Sequence, residues 1–167
     1  VEGSVAKYFS TEAGVAATSA ALQAHGGYGY IREYELEKML RDVRITTIYE
    51  GTSELQQNII GMYRWRGVVR SKGELYRAQA RALREMEPAD RAPVARESAA
   101  LAADALAELV LDCHRHRLPR QQHVLFELAR VAAEVETAIA LARKVAALDP
   151  ADPGAAPVAE TTTPPPH

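Results

Sequence analysis

The chain has 167 residues, 20 of them Lys or Arg and 22 Asp or Glu, for a formal net charge of −2. So even a balance provides no single-sign field to draw in nucleic acid or an anionic membrane. The single cysteine, Cys113, excludes an internal disulfide and fits a reducing compartment. No apolar run approaches the ~20 residues of a membrane span, and no secretory signal is visible. The length allows one domain or two small helical units. Ala dominates, with Glu, Arg and Leu behind it, a mixture that favours helix. The start, Val1-Glu2-Gly3-Ser4, lies inside a helical pattern and lacks Met, so the chain reads as a fragment of something longer.

The first predicted helix runs from residue 4 to about 24. Val5, Tyr8, Phe9, Ala13, Ala16 and Ala20 recur near the 3.6 period, and their small size predicts close packing on a neighbour. Gly26-Gly27-Tyr28-Gly29 breaks it. Residues 35–45 form a short helix with Leu36, Met39, Leu40 and Val43 as its core stripe. Residues 46–50 are β-branched but too few for a sheet. A third helix spans about 52–69, with Thr52 or Ser53 as its N-cap and Glu54 in its first turn. Ser71-Lys72-Gly73 is a hinge, residues 74–86 a short helix, and 88–93 a linker. Two longer helices, 94–117 and 120–148, are separated at Pro119. In the second, Val124, Leu128, Val131, Val135, Ala138, Ala142 and Val145 make an a/d stripe; Leu106, Leu109, Val110 and Cys113 offer it a face. From Asp149 onward the composition predicts disorder. The expected fold is all-α, a helical bundle followed by an additional helical hairpin. Its expected boundaries are 1–70, 71–148 and a tail at 149–167.

Few residues carry a chemical signal by pattern alone. A Glu before Gly in a loop, as at Glu50, is most often solvated. The Gly-rich turn follows no strand, so it is a weak phosphate cradle and a good helix stop. Cys113, His114, His116 and His123 straddle Pro119 and do not converge as four zinc ligands should, so no metal site is expected. The Arg-rich stretch 64–70 around Trp65 reads as a solvated helix end or a subunit contact.

Together, Gln23-Ala24-His25-Gly26-Gly27-Tyr28-Gly29-Tyr30, Leu36-Glu37-Lys38 with Arg41-Asp42, and Ile48-Tyr49-Glu50-Gly51-Thr52-Ser53-Glu54 resemble the C-terminal helical domain of acyl-CoA dehydrogenases. The resemblance is dense over residues 2–65. It weakens toward 148, where the chain looks like the helical extension of larger, long-chain members. It implies a flavin-dependent α,β-dehydrogenation of an acyl-CoA thioester to the trans-2-enoyl-CoA, as in fatty acid β-oxidation. Glu50 would be the base, its carboxyl kept in a dry pocket that raises its pKa. Gly51 would leave room for the substrate, and Tyr49 would contact adenine of the coenzyme or cofactor. Gln23, Ala24, His25, Gly26 and Gly27 would touch the FAD of a neighbouring subunit. Thr52, Ser53 and Glu54 would touch the subunit's own FAD at a helix N-terminus, Glu54 through its backbone or a ribose. Arg41 and Asp42 would hold the helix end together.

The implied partners are an acyl-CoA, electron transfer flavoprotein and further copies of the chain. The implied compartment is the bacterial cytoplasm or, second, the mitochondrial matrix. By itself the fragment would be inactive, since a middle β-domain and an N-terminal helical domain would complete the site. Two other readings stand beside this one. One is a non-catalytic assembly module using the 124–145 stripe; the other is a relative of the same fold, such as an acyl-CoA oxidase.

Overall fold

The computed structural model describes residues 1–86 and 93–147. Among them every regular element is helical: α1 Glu2–His25, α2 Gly27–Tyr30, α3 Leu36–Arg44, α4 Ser53–Arg70, α5 Glu74–Glu85, α6 Pro93–Arg115 and α7 Gln122–Ala147. Short 3₁₀ turns at Ile45–Thr47 and Leu118–Arg120 follow α3 and α6. The expected linker at 88–92 and the expected tail from Asp149 lie outside the described residues. Pro93, read as the end of that linker, is the first residue of α6, where its missing N–H costs nothing.

Local chemistry accounts for the boundaries. Residues 46–47 do not extend, because the Thr46 and Thr47 hydroxyls donate to the carbonyls of Val43 and Arg44 at 2.6 and 2.9 Å and hold one more helical turn. Helix α6 ends two residues before the expected position, and Arg117 then takes a left-handed φ of 57° ahead of Pro119.

Helices α5, α6 and α7 pack side by side, α4 lies along α7, and α1 crosses α3 and α4. One core runs from Val5 and Tyr8 through Ile60, Val68, Tyr76 and Leu83 to Leu106, Leu128 and Ile139. The seam of α7 keeps Leu128, Val135 and Ala142 of the expected stripe, while its alternate positions lie one residue further on than expected. Leu125, Leu128, Ala132, Val135, Ile139 and Ala142 are buried, while Ala138 is exposed. Leu109 also turns outward at 43% exposure, because Ala99, Ala103, Leu106, Ala107 and Val110 already fill the contact face of α6. Neither the Ala face of α1 nor the stripe of α3 is core. Ala13, Ala16 and Ala20 are exposed, and Met39 is half exposed at 50%.

Helix α4 sits unusually close to α7. A Cβ placed on Gly61 would lie 2.7 Å from the Leu125 carbonyl oxygen and 2.9 Å from its side chain. Beside this contact, Arg64 donates twice to Glu136, at 2.7 and 2.8 Å, and once to Glu2 at 3.0 Å. Arg64 is therefore not part of a solvated patch: its side chain is 16% exposed and joins α4 to α7 and α1. The wholly buried Tyr76 of α5 donates its hydroxyl to the same Glu136 at 2.7 Å. Burial, followed by the Glu136 charge, pushes the Tyr76 phenol above its ordinary range.

Three substitutions test these contacts through stability. Gly61→Ala should cost about 1–3 kcal/mol through overpacking, and thermal unfolding followed by circular dichroism reads the loss. Gly3→Ala, whose Cβ would meet nothing within 4 Å, should be neutral or slightly stabilising. Tyr76→Phe should cost about 1.5–3 kcal/mol near neutrality, the range for a hydrogen bond to a charged group. A raised folded-state phenol pKa gives stability that is complete below the unfolded value of 10.0 and is lost as pH rises beyond it. The gap between parent and Tyr76→Phe should therefore narrow above pH 10 in paired urea titrations.

Candidate functional site

The residues between the first 3₁₀ turn and α4 form a tight loop whose backbone is left-handed at two consecutive positions, Glu50 (φ 54°) and Gly51 (φ 90°). Gly51 suits this conformation, and a Cβ there would also lie 2.8 Å from Gln56 Nε2. Glu50 does not suit it, since a non-glycine residue held left-handed costs on the order of 1–3 kcal/mol. Its neighbours hold it there. Gln56 Nε2 donates to the Glu50 carbonyl at 3.1 Å, and Lys7 Nζ reaches from α1 to donate to the Gly51 carbonyl at 2.8 Å. Thr52 is the N-cap of α4, its Oγ1 accepting from the Leu55 N–H at 3.3 Å. The Ser53 hydroxyl donates to the Glu12 carboxylate on α1.

Among the described residues the buried Ser, Thr, Asn, Gln and charged side chains are Thr47, Ser53 and Gln56. All three flank Glu50, and no buried side-chain polar atom lacks a hydrogen-bond partner. This costly polar interior serves to fix one loop.

The side chains expected to do chemistry face outward from this base. Glu50 and Glu54 are exposed, Tyr49 is 48% exposed, and Gly51 and Thr52 are partly covered. Ile48 and Leu55 beside them are also more than half exposed. The Glu54 carboxyl is held below its usual range by its own backbone N–H, then by the Thr52 hydroxyl. Gln23, Ala24, His25, Gly26 and Gly27 are exposed at the far end of α1. At 1.5 Å per residue they lie ~16–24 Å along that helix from Glu12 and Lys7. One chain therefore does not bring its two expected cofactor segments together.

Arg41 forms a two-pronged pair with Glu37 one turn back, at 2.9 and 3.1 Å. His114 accepts from the Trp65 indole N–H at 3.2 Å, and His116 lies 3.8 Å from Asp112. Among the described residues no group of three His, Cys, Asp or Glu side chains could hold a metal ion. Nor is any described helix long and apolar enough to cross a membrane.

Sequence reasoning missed Lys7, Glu12 and Gln56. Lys7 and Glu12 carry no local signal, since their targets lie 44 and 41 residues away. Only Gln56, six residues from the Glu50 carbonyl, is close enough in the chain to have been suspected.

The family described as "Acyl-CoA dehydrogenase, C-terminal domain" matches residues 1–63. A 3-(aryl)acrylate reductase of Clostridium sporogenes is 56% identical over 59 residues, 35% of this chain and 16% of the relative. An acyl-CoA dehydrogenase of Bacillus subtilis is 50% identical over 62 residues, 37% of this chain and 16% of the relative. The Caffeyl-CoA reductase-Etf complex subunit CarC of Acetobacterium woodii is 52% identical over 59 residues, 35% of this chain and 16% of the relative. The matched part thus spans about one sixth of these relatives' length. No solved structure matches. Residues 1–63, which carry the Glu50 loop, are thus similar to the C-terminal domain of acyl-CoA dehydrogenases.

Proposed function

We propose that this chain supplies the catalytic base and part of the cofactor contacts of a flavin-dependent oxidoreductase acting across the α and β carbons of an acyl-CoA thioester. The observation that carries this reading is the Glu50–Gly51 loop, left-handed, fixed by donors from two helices, and presenting its carboxylate outward.

In the oxidative direction the Glu50 carboxylate takes the α-proton. A thioester α-carbon is too weak an acid for an unaided carboxylate, so the backbone N–H of Glu50 is assigned to the thioester carbonyl, where it stabilises developing negative charge. FAD, when bound, supplies the acceptor for the β-hydrogen. The chain's own residues fit the sugar end of that cofactor better than its phosphates. The Ser53 hydroxyl is spent on Glu12, and the Glu54 carboxyl already faces the first-turn N–H groups. A carboxylate there suits a ribose hydroxyl. Gln23–Gly27, lying well away along α1, would serve the cofactor of a second subunit, which requires a homo-oligomer. The exposed Tyr49, Ile48 and Leu55 would be covered by substrate and by the rest of the enzyme, and that cover would dry Glu50 and strengthen it as a base.

A second direction of reaction has its own support, because three of the relatives are named as reductases, one of them within an Etf complex. In reduction the same Glu50, protonated, returns the proton to the α-carbon. Electron transfer flavoprotein is the partner this reading assigns in either direction. Assay of the complete enzyme with paired saturated and 2,3-unsaturated thioesters decides which direction dominates.

Glu50→Gln in the complete enzyme should lower turnover ~10²–10⁴-fold, the usual worth of a general base, with folding and flavin content kept. Unchanged turnover removes Glu50 from the mechanism. Purified by itself, the 167-residue chain should show little flavin absorbance. A stoichiometric flavin spectrum would contradict a cofactor site shared with other parts of the enzyme.

A further inference from the structure

We propose that Lys7, with Gln56, positions the catalytic loop for proton transfer; this rests on the reading of Glu50 as the base. Lys7 lies on α1, away in sequence from the motif, and Gln56 lies on α4. Their donors meet two consecutive carbonyls, those of Gly51 and Glu50, at 2.8 and 3.1 Å. Those carbonyls belong to the two residues with left-handed φ. Gln56 thus fixes the peptide plane between Glu50 and Gly51, and Lys7 the plane between Gly51 and Thr52, so the chain leaving the base is held at two successive planes.

The choice of partners favours a positioning role over a general structural one. An exposed lysine ordinarily pairs with a carboxylate or stays in water. Lys7 instead directs its ammonium to a main-chain carbonyl, although Glu12 stands on the same helix, and Glu12 in turn takes the Ser53 hydroxyl. Helix α1 therefore grips the loop twice, at Gly51 and at Ser53, on both sides of the α4 N-cap. Charge-assisted hydrogen bonds of this kind are among the stronger ones in proteins. Released from them, Glu50 has a strained backbone free to relax toward negative φ, which would swing the base away from the α-carbon without emptying any pocket.

The test compares Lys7→Met, Lys7→Arg, Gln56→Met and Glu50→Gln in the complete enzyme. Turnover with an α-deuterated substrate and amide hydrogen exchange over residues 48–53 are both measured. Loss of one charge-assisted bond should lower kcat ~10–100-fold in Lys7→Met. KM should stay within about threefold, since binding groups are untouched. The α-deuterium isotope effect should rise and the loop amides should exchange faster. Lys7→Arg, which keeps a donor, should recover most of the turnover. Gln56→Met should shift the same quantities from the other carbonyl, and gives an independent reading if Lys7→Met folds poorly. A normal kcat and isotope effect in both Lys7→Met and Gln56→Met, beside an inactive Glu50→Gln, would overturn the positioning role and leave the base in place. An active Glu50→Gln would overturn the base itself, and the positioning role with it.

Discussion

A helix that carries both the rim of a site and part of a core must be seated on something heavier than itself. Helix α4 is seated at Gly61, where the absent side chain lets the Leu125 backbone of α7 come within contact distance. Close approach puts Arg64 within reach of Glu136, and Glu136 within reach of the Tyr76 hydroxyl. Three helices, α4, α5 and α7, then meet at one carboxylate, and Arg64 ties in α1 through Glu2. With both side chains largely covered, the pair interacts more strongly than a surface ion pair would, and breaking it would leave a charge poorly solvated. With α4 fixed, the position of Thr52 at its N-cap is fixed too, and so is the place where the loop must turn.

The second constraint comes from α1. Its N-terminal half is anchored in the core by Val5 and Tyr8, while Lys7 and Glu12, between and beyond those anchors, reach the loop. The remainder of α1 carries exposed Ala residues toward Gln23. One helix thus holds the Glu50 loop at one end and carries the Gln23 segment at the other.

Burial divides the molecule in two. From α5 to α7 most large apolar residues point inward, Leu101, Leu109 and Leu141 excepted, and the seam of α7 is satisfied by α4 and α6 of the same chain. That leaves the 124–145 stripe little to offer an outside partner. From α2 to the start of α4 the opposite holds: Tyr28, Tyr30, Met39, Ile45, Ile48, Tyr49 and Leu55 stand in solvent. Apolar surface this extensive marks a face built to be covered.

The sequence by itself determined where the helices lie and where the chain must turn before α4. Apolar period, Gly26, Pro119 and the Thr52 cap are local signals, and local signals survive without a tertiary frame. The motif around Glu50 was legible for the same reason, being continuous in the chain. What lay beyond local reach was decided by packing. Periodicity gives the width of an apolar stripe but not its angle, so the seam of α7 fell on Leu125 and Ile139 rather than Val124 and Ala138. It cannot say which stripes find a neighbour, so Met39 and Leu109 stayed outside while Arg64 went in. It cannot see a lysine 44 residues upstream reaching the Gly51 carbonyl. A hydrogen bond between distant segments leaves no period and no spacing. It exists only once α1 and α4 have been brought side by side.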